Sequence, residues 1–409
     1  MENKPIIVGL DIGTTKVCTI VATNNSRGEI EIIGVGSHPS YGLKKGAVVN
    51  IDKTIKSIHA SVEEARLMAG VDINKATIGL AGNHIYSFNS SGVVAIKNKE
   101  ITHDDIERVM EAAKAVVIPS DREIIHVIPR EFRVDNIPGI KNPEGMCGIR
   151  LEAHVHIVTG AIPLIQNLIK CVEHTGIMVE NIILQPIASS EAVLNSEEKE
   201  LGVALIDIGG GTTDLAIWKD GALIHSHIIP VGGNHFTNDL AVALRIPHTE
   251  AERVKINHGS VLPEKLDQSA HIAVQGLSGT KPQKVSLSQV TKVLGARGEE
   301  LFKIIADIIA KKGLKNEIHG GFILTGGGSL TTGMPELAEY ILEKPSRKGI
   351  PIPFDGMTNI MQNPQFSTVL GLLIDAHRAM ENPIPKSSQH LNIIGRLGDS
   401  IKNVFRDIF

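Results

Sequence analysis

Leu10-Asp11-Ile12-Gly13-Thr14-Thr15-Lys16 and Ile206-Asp207-Ile208-Gly209-Gly210-Gly211-Thr212-Thr213-Asp214 read as two copies of one motif. Each follows a continuous apolar run, Ile6–Leu10 in the first copy and Gly202–Ile208 in the second, with the pattern of a buried strand. Each leads into a second strand, Thr14–Thr23 or Thr212–Trp218, through a tight turn. A further turn and a third strand follow in both: Asn24–Gly28 then Glu29–Val35, and Lys219-Asp220-Gly221 then Ala222–Val231. Aligning Asp11 with Asp207 leaves a Thr-Thr pair after each, Thr14-Thr15 and Thr212-Thr213. A long period with two copies predicts a duplicated α/β domain and excludes a solenoid.

Glycine at such a turn lets main-chain N–H groups approach an anion with no Cβ in the way. Gly13, Gly209, Gly210 and Gly211 are therefore candidate phosphate-binding positions, and Thr14, Thr15, Thr212 and Thr213 add neutral donors. A carboxylate beside a phosphate repels it unless a cation lies between. Asp11 and Asp207 are accordingly expected to hold a hydrated Mg²⁺ through water, with Asp214 close by. Lys16 can place a positive charge near a phosphate tail. Neither copy is a Walker A loop, since Gly13 is not followed by Lys-Ser or Lys-Thr. A third glycine turn, Gly326-Gly327-Gly328, closes the strand-like Ile323-Leu324-Thr325 and completes a nucleotide cleft. The competing reading is three ordinary glycine turns.

Around these motifs, Ile51, Ile55, Ile58, Val62 and Ala65 mark a helix, with Asp52 as its cap and Gly70 as its end. Asn83 to Thr159 interrupts the first copy, with a helix opened by Thr102 and Asp105 and flanked by strands at Glu123–Val127 and Leu151–Val158. His154, His156 and Glu152 lie there on one strand and are expected to form a solvated polar face in preference to a zinc site. Pro247 to about Lys312 reads as mostly helical, with Ile304, Ile305, Ile308 and Ile309 facing its core. After Met380, two prolines and two serines among few apolar residues read as a linker.

The 409 residues, 42% hydrophobic and 21% charged, support more than one folded core. A net charge of −4 and only 3% aromatic residues leave neither a positive field nor stacking platforms for nucleic acid. Cys18, Cys147 and Cys171 are too few and too scattered for a disulfide framework, which favours a reducing compartment. Ile6–Leu10 is too short and too soon charged for a signal peptide, and no run is long enough to cross a membrane. Any membrane contact is expected to be peripheral. If residues 391–409 are helical, Ile394, Leu397, Ile401, Val404, Phe405 and Ile408 share one face. Arg396, Lys402 and Arg406 against Asp399 and Asp407 leave this segment a net +1. It is expected to lie in a lipid interface and not to cross it.

This combination resembles the actin, Hsp70 and sugar kinase superfamily. Within that superfamily it is similar to the FtsA family of bacterial actin-like cell-division proteins. The resemblance is carried by both phosphate turns, Ala188-Ser189-Ser190, Ala251-Glu252-Arg253-Val254-Lys255, Thr325-Gly326-Gly327-Gly328 and the tethered tail. It implies an actin-like (ribonuclease H-like) duplicated α/β fold: two lobes around a nucleotide cleft, an inserted α+β subdomain and a C-terminal amphipathic helix. Residues 1–82, 161–201 and 367–380 would build lobe 1, with 83–160 as the inserted subdomain. Residues 202–246 and 313–366 would build lobe 2, with 247–312 as its helical subdomain, 381–390 as linker and 391–409 as membrane-targeting helix.

The resemblance further implies ATP and Mg²⁺ as ligands and weak ATP hydrolysis, with Asp207 and Gln185 in the catalytic machinery and Gln185 orienting the attacking water. The alternative for Gln185 is a plain helix-start residue. Glu252 and Lys255 match the family's contacts to ribose and adenine; otherwise they form an exposed i,i+3 ion pair. Arg297 matches an arginine that touches the FtsZ C-terminal peptide, or else is a surface arginine. The implied role is to polymerise and to tether FtsZ filaments at the cytoplasmic face of the inner membrane at the division septum, among other division proteins. Two alternatives share the fold: a small-molecule kinase, and a pilus-assembly protein that binds a peptide.

Overall fold

The two motif copies open two sheets of the same design. In the computed structural model, residues 5–265, 267, 269–277, 282–356 and 362–381 are described. Ile7–Ile12 pairs antiparallel with Lys16–Asn24, which pairs antiparallel with Ile30–Pro39. On its other side Lys75–Leu80 and then Met178–Leu184 follow in parallel. In the second sheet Val203–Ile208 pairs with Thr213–Lys219 and then Ala222–Ile229 follows, both antiparallel. Phe322–Thr325 and Ser346–Lys348 extend it in parallel on the other side. The shared strand order is the duplication expected from the sequence, and both opening strands are buried along their whole length.

Register corrects the alignment within the motif. Asp11 stands opposite Cys18, and Asp207 opposite Asp214. Gly13 N donates to Lys16 O (2.9 Å), and Gly209 N to Thr212 O (3.0 Å). The two hairpins are thus the same length, Lys16 is equivalent to Thr212, and Cys18 to Asp214. The Thr-Thr pairs are not equivalent, because Thr14 and Thr15 sit in the turn while Thr213 has already entered the strand.

The helix Ile51–Ala69 covers the first sheet. It lies so close that a Cβ on Gly36 would stand 1.8 Å from Ser61 O. Its cap is Asn50 and not Asp52: Asn50 is extended and its side chain accepts from Lys53 N, whereas Asp52 is already inside the first turn. A third sheet, in the order Tyr86–Ala95, Arg150–Ala161, Arg122–Val134, Ile137–Ile140, carries the helix His103–Lys114 on one face. Thr102 and Asp105 form the expected capping box of that helix.

The other face of this third sheet meets strand Ala222–Ile229 of the second. Ser87 Oγ donates to Ser226 O (2.7 Å), and His156 is wholly buried between Asn89 Oδ1 (2.7 Å) and Ser226 Oγ (3.0 Å). The solvated polar face expected at His156 is instead a seam, because the strand's polar side turns towards the second sheet. Among the described residues of 247–312 are the α-helices His248–His258 and Leu287–Lys311, and between them an unexpected hairpin of His271–Val274 with Gln283–Ser286. Ile305 and Ile309 are in the core there, with Ile304 and Ile308 packed against it.

Helix Ser367–Glu381 crosses helix Gln185–Val193 in backbone contact: a Cβ on Gly371 would stand 1.7 Å from Ala188 O. The rest of the expected linker and the helix at 391–409, with Ile394, Leu397, Ile401, Val404, Phe405 and Ile408, lie outside the described residues. Among the described residues no helix is long and apolar enough to cross a membrane.

Candidate nucleotide site

The two hairpins face each other across the molecule. Added Cβ atoms on Gly210 and Gly211 would meet Thr15 Oγ1 at 1.6 Å and Thr14 Oγ1 at 2.6 Å. Only glycine lets the second turn approach the first so closely. Behind this contact opens a cavity of about 430 Å³. Asp11, Gly13, Thr14, Thr15 and Lys16 line it from one lobe, and Asp207, Gly209, Gly210, Gly211, Thr212 and Asp214 from the other. Gly326, Gly327 and Gly328 close its far wall, and Glu252, Lys255 and Gln185 reach it from helices. Thr213 is not among the lining residues; it is buried, and its hydroxyl donates to Val231 O (2.8 Å).

Three buried carboxylates dominate the floor. Burial pushes the Asp11 carboxyl up to about 6, with Lys16 opposing and Asp207 assisting. Burial also raises Asp207, against the hydrogen bonds from Ser189 and Thr368. Asp214 is driven well above the usual carboxylate range by burial and by the charges of Asp207 and Asp11, and its Oδ1 is buried without a hydrogen-bond partner. Such a set of oxygens lacks positive charge, which a hard divalent cation such as Mg²⁺ would supply. Among the described residues no three His, Cys, Asp or Glu side chains converge at ligating distance.

Lys16 lines the cavity with its ammonium already engaged. Its Nζ donates to Gln365 O (2.8 Å) and stands 4.0 Å from the Phe366 ring centroid, so it ties the first hairpin to the turn before helix Ser367–Glu381. Gln185 Nε2 donates to Asp11 Oδ1 (2.8 Å). Glu252 and Lys255 are no exposed pair. Lys255 Nζ donates to Glu252 Oε2 (2.8 Å), Thr237 Oγ1 (2.9 Å) and Gly233 O (3.2 Å) inside the cleft wall. Arg297 lies away from the cavity. Its Nε and Nη2 grip Asp239 Oδ2 (2.6 Å) and Oδ1 (3.0 Å), joining helix Leu287–Lys311 to helix Gly233–Leu244, while Nη1 contacts Glu300.

Sequence reasoning missed Gly232 and Gly233, whose backbone abuts the second hairpin. Gly233 N donates to Gly209 O (2.8 Å), and a Cβ on Gly232 would stand 2.6 Å from Gly209 O. The Gly-Gly pair directly after the third strand was the available signal. Ser189 and Thr368 were missed as partners of Asp207, and no local pattern marks either.

The family described as "Cell division protein FtsA" matches residues 204–371. The "SHS2 domain inserted in FTSA" matches residues 82–159. The chain is 44% identical to cell division protein FtsA of Pseudomonas aeruginosa over 374 residues, 91% of this chain and 90% of that protein. It is 41% identical to FtsA of Borreliella burgdorferi over 98% of both chains. The chain belongs to the FtsA family of cell division proteins. FtsA of Escherichia coli K12 is 36% identical over 91% of this chain and 90% of its own length.

Among solved structures, the FtsA-family fold here is similar to the PilM-PilN type IV pilus biogenesis complex, with TM-score 0.66 and 16% identity over 91% of this chain and 98% of that one. It is also similar to MreB5 of Spiroplasma citri bound to ADP, with TM-score 0.58 and 17% identity over 93% and 100%. These likenesses show an actin-like fold.

Proposed function

We propose that this FtsA-family chain is an ATP-binding adaptor of cell division that polymerises and fixes FtsZ filaments to the membrane at the septum. The nucleotide part rests on one observation: two hairpins of equal length, each led by a buried aspartate, face each other over a cavity closed by Gly326–Gly328. In this reading Gly13 and Gly209–Gly211 offer main-chain N–H groups to phosphate oxygens, helped by Thr14, Thr15 and Thr212. Asp11 and Asp207 would hold Mg²⁺ through water, with Asp214 beside Asp207 on the paired strand. Glu252, Lys255 and the Gly326–Gly328 turn receive the nucleoside. Bound Mg·ATP supplies a phosphoryl group whose slow transfer to water depends on positioning and charge. Gln185 holds Asp11 through one Nε2 proton, which leaves its amide oxygen to orient that water. MreB5 of Spiroplasma citri, a solved structure similar in fold, is bound to AMPPNP, which supports an adenine nucleotide in this cleft.

The FtsZ C-terminal peptide docks, in this reading, on the helical region 247–312. Arg297 would exchange Asp239 for a carboxylate of the peptide. Other copies of the chain and other division proteins are the remaining partners. The tail residues 391–409 hold the protein as a peripheral component on the cytoplasmic face of the inner membrane. Membership of the FtsA family favours this role over a small-molecule kinase or a pilus-assembly protein.

The test is calorimetry of Mg·ATP binding to the full chain and to Asp207→Ala. Loss of affinity by about 10-fold or more is expected, the worth of removing a charge-assisted contact. Unchanged affinity and unchanged turnover would sink the nucleotide reading.

A further inference from the structure

Gln185 and Ser189 stand four residues apart on helix Gln185–Val193, so they share one face, one turn apart. Gln185 Nε2 donates to Asp11 Oδ1 (2.8 Å), and Ser189 Oγ donates to Asp207 Oδ2 (2.5 Å). A single helical turn therefore grips one aspartate from each lobe. A second helix takes part. Thr368 Oγ1 lies 3.0 Å from Ser189 Oγ and 3.3 Å from Asp207 Oδ2. The Ser189 hydroxyl has one proton, and Asp207 receives it. The Thr368 proton must then point at the same pair.

Close crossing of the two helices brings these hydroxyls together. Ala188 O and the Cα of Gly371 meet with no room for a Cβ, and Ser189 is the residue after Ala188 while Thr368 is one turn before Gly371. Both hydroxyls fall on Oδ2. Oδ1 lies on another side, close to Gly326, where an added Cβ would stand 2.2 Å from it. Ser189 is wholly buried and Asp207 and Thr368 are nearly so, which strengthens these bonds.

We propose that Ser189 and Thr368 are positioning residues that fix the rotamer of Asp207, and that the Gln185–Ser189 turn sets the spacing of Asp207 from Asp11 for a hydrated divalent cation. This rests on the nucleotide reading above. Ser189 does not line the cavity and Thr368 stands at its edge; the role proposed for both hydroxyls runs through the carboxylate. Thr368 further places the start of helix Ser367–Glu381 in direct contact with the carboxylate, so a shift of either crossing helix would move the cation site.

The experiment measures ATP affinity of the full chain with Mg²⁺ and with EDTA, for wild type, Ser189→Ala, Thr368→Val, Thr368→Ser and Asp207→Asn. Thr368→Val is nearly isosteric, so it removes the hydroxyl while keeping the packing. Ser189→Ala and Thr368→Val are each expected to lose about 5- to 20-fold in affinity with Mg²⁺ and to match wild type in EDTA. Thr368→Ser keeps the hydroxyl and should restore the Mg²⁺-dependent part. Equal losses with and without Mg²⁺ would show a merely structural role and overturn the proposal. So would full Mg²⁺-dependent affinity in both hydroxyl-free variants while Asp207→Asn loses it. If wild type itself shows no Mg²⁺-dependent affinity, the nucleotide reading falls and takes this proposal with it.

Discussion

Lowering the pH should weaken this protein through the buried seam between the third sheet and strand Ala222–Ile229, and His156 lets the effect be sized. Its Nδ1 faces Asn89 Oδ1, which can only accept, so Nδ1 carries a proton, and Nε2 faces Ser226 Oγ. Ser226 Oγ can donate to Nε2 or equally accept from it, so it is burial that holds the ring neutral. Burial pushes it down to about 3, and the nearby His225, Arg130 and Lys312 push the same way. The unfolded chain has the ordinary value of 6.5 and binds the proton more readily. Stability is thus complete above 6.5 and drains away as pH falls towards 3. Going from about pH 7.5 to pH 5, His156 alone should cost about 2 kcal/mol, since each decade below 6.5 costs ~1.4 kcal/mol until the folded group titrates. His225 and His84, both lowered to about 4 mainly by burial, act in the same direction.

Trp218 is the single tryptophan, and it pairs with Leu223 of the seam strand. Its fluorescence can therefore report urea unfolding next to the seam. His156→Gln keeps a polar side chain between Asn89 and Ser226 but cannot gain a charge. Wild type should lose about 2 kcal/mol more than this variant over the same pH interval. Equal losses in the two proteins, or a His156 ring that titrates near 6.5 by NMR, would refute the reasoning.

Arg297 and Asp239 form a two-pronged ion pair that is only about a quarter exposed on each side. Their single alanine variants should each destabilise, and the double variant should cost about 1–2 kcal/mol less than the sum; additive losses would mean the pair contributes nothing to stability. Deletion of 391–409 should abolish sedimentation of the protein with liposomes while the circular dichroism spectrum of the body persists. Undiminished sedimentation would remove the tail from the membrane role.

The duplicated sheets were legible because they rest on local chemistry. A continuous apolar run, a glycine turn and a second β-rich run need no distant partner to be recognised, and they recur at Asp11 and Asp207. The capping box at Thr102 and Asp105 was legible for the same reason, since its bonds close within one turn. Asn50 was passed over for Asp52 because both are good caps, and only the backbone angles show which residue lies outside the helix. The Thr-Thr alignment misled because composition says nothing about where a hairpin closes.

By itself, then, the sequence determined the opening strands of both sheets, where phosphate-compatible turns lie, and that the plan occurs twice, but not the hairpin of His271–Val274 with Gln283–Ser286. Tertiary structure decided what those turns face. Gly210 against Thr15, Lys16 against Gln365, Arg297 against Asp239, and Ser189 with Thr368 on Asp207 join residues far apart in the chain. The reason is physical. Strand and turn preferences act over a few bonds, whereas buried charges and hydroxyls find their partners only when separate elements pack, and packing can bring any two positions together.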